Sequence, residues 1–282
     1  MAEAVRSNKV TTLDDVVDLI PQGARLGVGG VILQRKPVAL LDSAVHAGIG
    51  TLQLHSFLAS LDVELLAAHG ALAEAHTGYV GFEQLGFAPA YEAAVQRGHV
   101  TAYEYSEFLF VAGLRAAMAG LPFFPAKGGA GSQLLDELCF KSVRCPYTDE
   151  EILAVPAKHL DVALLHAEAA SPSGHVMGPA SRDFLFDLDA NIARAADVVI
   201  VSVERIVSED EIIAARERTL LFNFEVDAVV EAPHGAAPTA LPGSYTPDFG
   251  ALRRYLVDAA TDPADVAGAM RTLTRPTQEV SA

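Results

Sequence analysis

Two apolar runs in the second half of the chain constrain the fold more than any other feature. They span residues 162–166 and 198–203 and are rich in valine, leucine and isoleucine. Runs without polar alternation suit strands that are covered on both faces, as in a parallel sheet between two layers of helices. A helical pattern at 188–196, between the two runs, predicts the crossover that joins parallel strands.

The rest of the chain also alternates between strand and helix patterns. At 282 residues, 51% apolar and 20% charged, it can bury a full core. We predict one α/β domain over 1–282, with an open, largely parallel sheet covered by helices and a flexible tail after about 271. The other predicted strands are 24–28, 51–57 and 100–103. A first helix is predicted to begin after Thr12, which caps it, and a second to run from Pro37 to about 47. The remaining predicted helices are 63–69, 92–97 and 107–119.

Composition excludes several functional classes. A formal net charge of -16 disfavours nucleic acid as a partner, and no basic stripe offsets it. The apolar runs are far shorter than the ~20 residues of a membrane helix, so we expect no membrane partner and a cytoplasmic location. The spacing of Cys139 and Cys145 fits neither a metal knuckle nor a redox pair, and we predict no metal.

A first glycine-rich turn follows the predicted strand 24–28. Gly29 and Gly30 lead through Arg35 and Lys36 to Pro37, which predicts a helix start. Glycines let the backbone approach a ligand closely, and amides at a helix start attract anions, so these residues form a candidate cradle for a large anionic ligand. An ordinary tight turn beside a solvated Arg-Lys pair is the alternative.

A second glycine-rich loop repeats the pattern. It consists of Lys127, Gly128, Gly129, Ala130, Gly131 and Ser132, and it sets flexible backbone donors beside one cation. Such donors hold a phosphate, or the oxyanion that forms when a nucleophile attacks a thioester. A glycine-rich surface loop is the alternative. Neither loop completes the phosphate-binding sequences of nucleotide-binding proteins.

Two glutamates are the candidate catalytic residues. Glu104 and Glu107 lie at the start of the predicted helix 107–119, where a carboxylate is also favoured by the helix dipole alone. If one lies near the second glycine loop, it acts as a nucleophile or general base, and Glu107 is the preferred candidate. His166 ends a buried strand, where active sites of α/β sheets gather, or it is a structural donor.

The chain resembles the A subunits of family I CoA-transferases, in particular the A subunit of glutaconate CoA-transferase and its relatives in ring-degradation pathways. The motifs carrying this resemblance cover most of the chain and occur in the same order: 27–37, 113–125, 128–132, 166–180, 202–207 and 232–239. His175 stands where the family usually has an asparagine after a glycine, and we place it with His166 in the substrate pocket.

The resemblance implies an open α/β fold of the CoA-transferase type, coenzyme A as a substrate, and a partner that is the B subunit. In these transferases a glutamate attacks the acyl-CoA thioester and passes through an acyl anhydride. In the glutaconate type the B subunit supplies that glutamate, and this chain lacks the corresponding Ser-Glu-Asn-Gly signature. The resemblance therefore implies that the chain is inactive without its partner.

Two other functions stay open at this point. Similar A subunits of steroid-ring degradation carry a glutamate in the segment of Glu107 and hydrolyse a cyclic CoA thioester. The alternative to a transferase is therefore a hydrolase of a ring-derived CoA thioester. A non-catalytic ligand-sensing domain is the second alternative, because the chain has no self-contained nucleophile motif.

Overall fold

The structure, a computed structural model, describes residues 8–127, 133–182 and 184–274. In chain order its strands are β1 (Val10–Thr11), β2 (Arg25–Val28), β3 (Leu52–His55), β4 (Leu58–Ala59), β5 (Leu72–Thr77), β6 (Tyr79–Val80), β7 (Thr101–Glu104), β8 (Phe123–Ala126), β9 (Lys141–Arg144), β10 (Glu151–Pro156), β11 (Leu160–Ala170), β12 (Val176–Met177), β13 (Ala196–Ile206), β14 (Thr219–Leu221) and β15 (Ala228–Glu231). Its α-helices are α1 (Leu13–Val16), α2 (Val38–His46), α3 (Leu61–Ala68), α4 (Pro89–Gln96), α5 (Glu107–Met118), α6 (Gln133–Glu137), α7 (Asp187–Arg194), α8 (Glu209–Ala214), α9 (Phe249–Thr261) and α10 (Val266–Thr274).

Parallel strands form the main sheet, in the order β1-β15-β13-β11-β2-β3-β5-β7. The chain moves outward from β2 through β3, β5 and β7, and in the opposite direction from β11 through β13 and β15. The strand order therefore reverses between β2 and β11. In open α/β sheets, ligands bind at the carboxyl ends of the strands beside such a reversal.

Both faces of the sheet are covered, as the apolar runs predict. Alternate residues of β11 enter two different cores because successive side chains of a strand point to opposite faces. Val162 and Leu164 pack in the core that also holds α2, α3 and α9. Ala163 and Leu165 pack in the core that also holds α5 and α7. The predicted open, largely parallel α/β sheet is confirmed.

The predicted helices and strands of the main sheet occur with small shifts of their ends. The two strands predicted from apolar runs extend beyond them, as β11 and β13. Thr12 caps α1 as predicted, by accepting a hydrogen bond of 3.1 Å from the backbone of Asp15. α2 begins at Val38, directly after Pro37.

A small antiparallel sheet, in the order β8-β10-β9, was not predicted from the sequence. All four residues of β9 are exposed, so this strand has no buried face that would impose alternating polarity. The central strands β11 and β13 carry a clear signal because most of their residues lie in the core.

The carboxyl-terminal helices pack against the first half of the chain. α10 continues to Thr274, with Leu273 buried, and the flexible tail predicted after about 271 stays a prediction. The Thr274 hydroxyl donates a hydrogen bond of 2.8 Å to the carboxylate of Asp42 in α2. Farther back, the Tyr255 hydroxyl of α9 donates to the buried Glu64 carboxylate of α3. Residues 275–282 lie outside the described part of the chain.

Candidate active site

The first glycine turn lies at the reversal of strand order and packs tightly against β11 and α7. The Gly29 amide donates to the Leu164 carbonyl over 3.0 Å, and the Gly30 amide donates to the Asp189 carboxylate over 2.8 Å. A Cβ on Gly29 would lie 2.4 Å from a methyl carbon of Leu165, so the close approach requires glycine at this position. Both amides are therefore engaged by protein groups.

Arg35 and Lys36 are fully buried. The alternative of an ordinary tight turn beside a solvated Arg-Lys pair is therefore wrong. Arg35 pairs with Asp189 over 3.2 Å, and Lys36 pairs with Asp62 over 2.8 Å. Burial lowers the pKa of Lys36, and the Asp62 carboxylate opposes this shift. These contacts stabilise the turn from inside, while a ligand-binding role of Gly29, Gly30, Arg35 and Lys36 stays a prediction.

The second glycine loop lies mostly outside the described residues. Gly128, Gly129, Ala130, Gly131 and Ser132 are not described, so their predicted role in binding CoA or the acyl group stays a prediction. Lys127 is described: its side chain is 72% exposed and forms an ion pair of 2.7 Å with Glu150 next to the small sheet.

Glu107 is the first residue of α5 and lines a pocket of about 450 Å³ between α5 and α7. The hydroxyl of Ser106 caps the helix by accepting a hydrogen bond of 3.3 Å from the Leu109 amide. Besides Glu107, the polar residues of the pocket are Arg115 on α5, and Asp187 and Asn191 on α7.

The other walls of this α5–α7 pocket are apolar. Phe57 follows β3, Phe124 comes from β8, and Phe108 stands beside Glu107 with 49% of its surface exposed. Aliphatic side chains of both helices complete the lining. Glu107 and Arg115 are both exposed to solvent, so the apolar walls adjoin these charged groups without enclosing them.

The structure separates the two candidate glutamates. Both are exposed, but Glu104, the last residue of β7, does not line the α5–α7 pocket, whereas Glu107 does. Because Glu104 and Glu107 are only three residues apart, the sequence alone allows either side chain to reach the pocket. The turn between β7 and α5 decides which one does. A catalytic role of either residue stays a prediction, with Glu107 the better placed.

Behind the pocket, a buried lysine underlies α5. The Lys158 ammonium lies 3.6 Å from the centre of the Tyr105 ring and 5.2 Å from that of Phe110. The Tyr105 hydroxyl is 3.2 Å from Nδ1 of His76. Tyr105 directly precedes Ser106 and Glu107, so this cluster holds the chain where it enters α5. Sequence reasoning missed Lys158, because a single lysine between two strands carries no motif.

We expect the Lys158 cluster to make stability depend on pH. Burial lowers the pKa of Lys158 from 10.5 to about 7. The folded state therefore bears the full cost of a buried charge below pH 7, and this cost disappears as the pH rises towards 10.5, where the unfolded lysine also loses its proton. The free energy of unfolding should rise over that interval, by the order of a few kcal/mol.

The measurement is urea unfolding of wild type and Lys158→Met from about pH 7 to about pH 10. Because other groups titrate in the same range, the difference between the two proteins isolates the lysine. The advantage of Lys158→Met should be largest at the neutral end of this range and should shrink towards the alkaline end. A difference that is constant with pH would contradict the assignment.

His166 belongs to a separate buried network in the carboxyl-terminal halves of β11 and β13, and it does not end its strand as predicted, because β11 continues to Ala170. Its Nδ1 lies 2.9 Å from the Ser202 hydroxyl and its Nε2 lies 2.8 Å from the Glu204 carboxylate. Glu204 also accepts hydrogen bonds of 2.7 Å from the Tyr245 hydroxyl and from the His234 amide. Burial raises the pKa of Glu204, but these hydrogen bonds outweigh it and hold the pKa below its usual value.

This geometry favours a structural role for His166. Its hydrogen-bond partner Glu204 connects β13 to the loop that carries His234, so His166 helps to hold that loop. His175 is half-buried and lies 3.0 Å from the carboxylate of Glu209, at the start of α8. Neither His166 nor His175 lines the α5–α7 pocket. Their role in binding substrate stays a prediction.

The described residues contain no group of three or more His, Cys, Asp and Glu side chains arranged to hold a metal ion. None of the helices within the same ranges combines the length and the apolar character that crossing a bilayer requires.

A comparison with protein families gives a match over residues 10–232 to the family described as coenzyme A transferase. The chain belongs to the coenzyme A transferase family. This confirms the resemblance found in the motifs, and it confirms the interpretation of the chain as part of an enzyme. Because a catalytic family is shown, the ligand-sensing alternative falls behind the enzymatic ones.

Family members with different activities are similar to this chain. The cholesterol ring-cleaving hydrolase IpdA subunit of Rhodococcus jostii (strain RHA1) is 32% identical over 92% of this chain and 90% of its own length. The A subunit of glutaconate CoA-transferase from Acidaminococcus fermentans is 32% identical over 88% of this chain and 82% of its own length.

Solved structures of the family have the same fold. The glutaconate coenzyme A-transferase of Acidaminococcus fermentans matches with a TM-score of 0.84 and 29% identity, over 92% of this chain and 86% of the matched one. The decarboxylase AibA/AibB matches with a TM-score of 0.85 and 33% identity, over 94% of this chain and 98% of the matched one. These names include a hydrolase, a transferase and a decarboxylase, so family membership alone does not determine the reaction.

Proposed function

We propose that this chain is the A subunit of a two-subunit CoA-transferase, which moves coenzyme A between an acyl-CoA and a carboxylic acid. The observation that supports it most directly is the α5–α7 pocket, in which Glu107 stands among apolar walls in a chain of the coenzyme A transferase family. A partner, the B subunit, completes the site, and coenzyme A enters as a substrate. A cytoplasmic location stays a prediction.

The reaction begins with attack of a B-subunit glutamate on the thioester carbonyl. A C–O bond forms and the C–S bond breaks, which yields an acyl anhydride and the CoA thiolate. The thiolate then attacks the glutamyl carbonyl, releases the first acid and leaves CoA as an enzyme thioester. The acceptor carboxylate repeats these steps in reverse. Carboxylates are weak nucleophiles in water, so desolvation and positioning by the pocket provide most of the acceleration.

This chain supplies the apolar walls and one carboxylate at the reacting centre. Phe57, Phe108 and Phe124 exclude water from the acyl group, and Glu107 lies beside them, where its carboxylate can accept a proton when water is the attacking group. Phe108 remains half exposed at the pocket in the isolated chain, which suits a surface that the B subunit covers.

A CoA-thioester hydrolase that opens a ring-derived acyl-CoA is the second candidate. The observation that favours it is that Glu107 itself lines the pocket, where it can activate water as a general base. The similarity to the IpdA subunit of Rhodococcus jostii supports the same candidate.

An isotope experiment distinguishes the two candidates. The chain and its B subunit, purified together, are incubated with an acyl-CoA and acetate in ¹⁸O-labelled water, and the products are analysed by mass spectrometry. Transfer yields acetyl-CoA, while hydrolysis yields free CoA and an acid labelled by water. We expect acetyl-CoA from the pair and none from the chain alone. Transfer by the chain alone, or no thioester turnover by the pair, would overturn the proposal.

A further inference from the structure

Two histidines meet at the edge of the main sheet that lies away from the α5–α7 pocket. His46 is the last residue of α2, and His69 directly follows α3. α2 joins β2 to β3 and α3 leads into β5, so both helices run back against the parallel strands and end at the amino ends of those strands. The centres of the two imidazole rings are 5.7 Å apart, and the rings are tilted by 55°.

The hydrogen bonds of the two rings use the same nitrogen in each. Nδ1 of His46 donates to the Asp42 carbonyl over 2.7 Å, and Nδ1 of His69 donates to the Leu65 carbonyl over 3.0 Å. Because a carbonyl oxygen only accepts, the neutral rings carry their proton on Nδ1 and a lone pair on Nε2.

Nε2 of His69 is buried and has no hydrogen-bond partner in the described part of the chain. A buried polar atom is costly to the fold unless something satisfies it. The position of this atom beside the second imidazole therefore indicates a ligand that accepts a lone pair from nitrogen.

The surroundings favour a cation as that ligand. Each helix ends in unsatisfied carbonyl groups that together act as about half a negative charge, and the ends of α2 and α3 converge here. The Asp42 carboxylate adds negative charge 3.5 Å from Nδ1 of His46. A hydrogen bond from Nδ1 to a carbonyl is also the arrangement that orients histidines for metal binding through Nε2.

The separation of the rings is compatible with one shared metal ion. A zinc ion lies about 2 Å from a ligating nitrogen and about 3 Å from the ring centre, so two tetrahedral imidazole ligands have centres about 5 Å apart. The torsion that turns a histidine ring has a broad minimum, so a small rotation closes the difference from the observed 5.7 Å.

We propose that His46 and His69 together bind one divalent transition-metal ion of the class that prefers imidazole nitrogen, with zinc as the model ion. Water completes the coordination, since the described ranges hold no group of three or more His, Cys, Asp and Glu side chains for a metal. The ion joins the ends of α2 and α3 and stabilises the fold. The site does not depend on the proposed function, because it lies at the opposite edge of the sheet from Glu107.

Cysteine spacing predicts no metal in this chain, and the two histidines belong to different helices, so no local motif in the sequence indicates them. A simpler role for the pair is packing, with each ring bonded to its own helix. That role predicts a loss of stability on substitution without any dependence on metal.

The experiment titrates the full chain, purified without a histidine tag, with zinc chloride in a calorimeter and repeats thermal unfolding with zinc and then EDTA. Wild type is compared with His46→Gln and His69→Gln, and the control is His159→Gln, which removes an exposed histidine outside the pair. We expect one ion per chain in wild type and control, and a Tm about 5 °C higher near saturation that EDTA reverses. Each substitution in the pair should weaken zinc binding at least about 10-fold.

Zinc binding that is absent from wild type, or equally strong in both variants of the pair, would overturn the inference. Diffraction from zinc-soaked wild-type crystals at the zinc absorption edge tests it without any substitution. An anomalous peak about 2 Å from Nε2 of both histidines supports the site. A peak at only one of them, or at neither, overturns it.

Discussion

Replacing Glu107 by glutamine in the complete A–B pair is expected to lower kcat for hydrolysis of the thioester by about 100-fold or more. Glu107 is the only carboxylate of α5 that lines the α5–α7 pocket. Glutamine keeps the size and hydrogen-bonding capacity of the side chain but cannot accept a proton from an attacking water molecule. KM should change little, because the substitution leaves the apolar walls of the pocket in place.

Glu104→Gln is the matched control for this experiment. Glu104 is an exposed glutamate only three residues away, but it lies at the end of β7 and outside the pocket lining. The control should retain wild-type turnover, and both variants should assemble with the B subunit on size-exclusion chromatography. Near-normal turnover of Glu107→Gln in both the transfer and the hydrolysis assay would exclude a catalytic role of Glu107.

Replacing Asp62 by asparagine is expected to lower the free energy of unfolding by about 3–5 kcal/mol. Asp62 and Lys36 are both fully buried, and their side chains are 2.8 Å apart. Lys36 has two further acceptors, the Ser56 hydroxyl at 2.9 Å and the Gly30 carbonyl at 3.2 Å. Without the negative charge, these neutral acceptors alone must compensate a buried ammonium group.

Urea denaturation with linear extrapolation measures this effect, and the slope with denaturant should stay unchanged. The control is Glu150→Gln, which removes the charge from the exposed ion pair with Lys127 and should leave the free energy of unfolding nearly unchanged. The double variant Lys36→Met, Asp62→Leu should recover part of the loss, because no unpaired charge remains. Equal stability of Asp62→Asn and wild type would mean that Lys36 is not held as a buried charged pair.

Much of the main sheet was predictable because its signal is local. β11 and β13 are covered on both faces, so their sequences are nearly uninterrupted apolar runs. The three-stranded sheet gives no such signal because β9 is exposed throughout. Its strands depend on pairing with each other and not on burial of a periodic face.

The candidate site was only partly predictable for the same reason. The sequence indicates the segment leading into α5 and favours Glu107 over Glu104, and the structure places Glu107 in a pocket. Arg115 appears in the sequence only as part of a family motif, and Lys158 carries no signal at all. Each acquires its environment from elements distant in sequence, such as α7 for Arg115 and Tyr105 for Lys158.

By itself the amino-acid sequence determined the covered parallel sheet, the family and the segment that carries the candidate carboxylate. These follow from hydrophobic periodicity and ordered motifs, which are properties of neighbouring residues. Only the tertiary structure decided that Arg35 and Lys36 are buried in ion pairs, whereas Arg115 faces a pocket. In the sequence Arg35, Lys36 and Arg115 are simply three cations. Whether each one pairs with an aspartate or lies in solvent depends on how segments distant in sequence pack together.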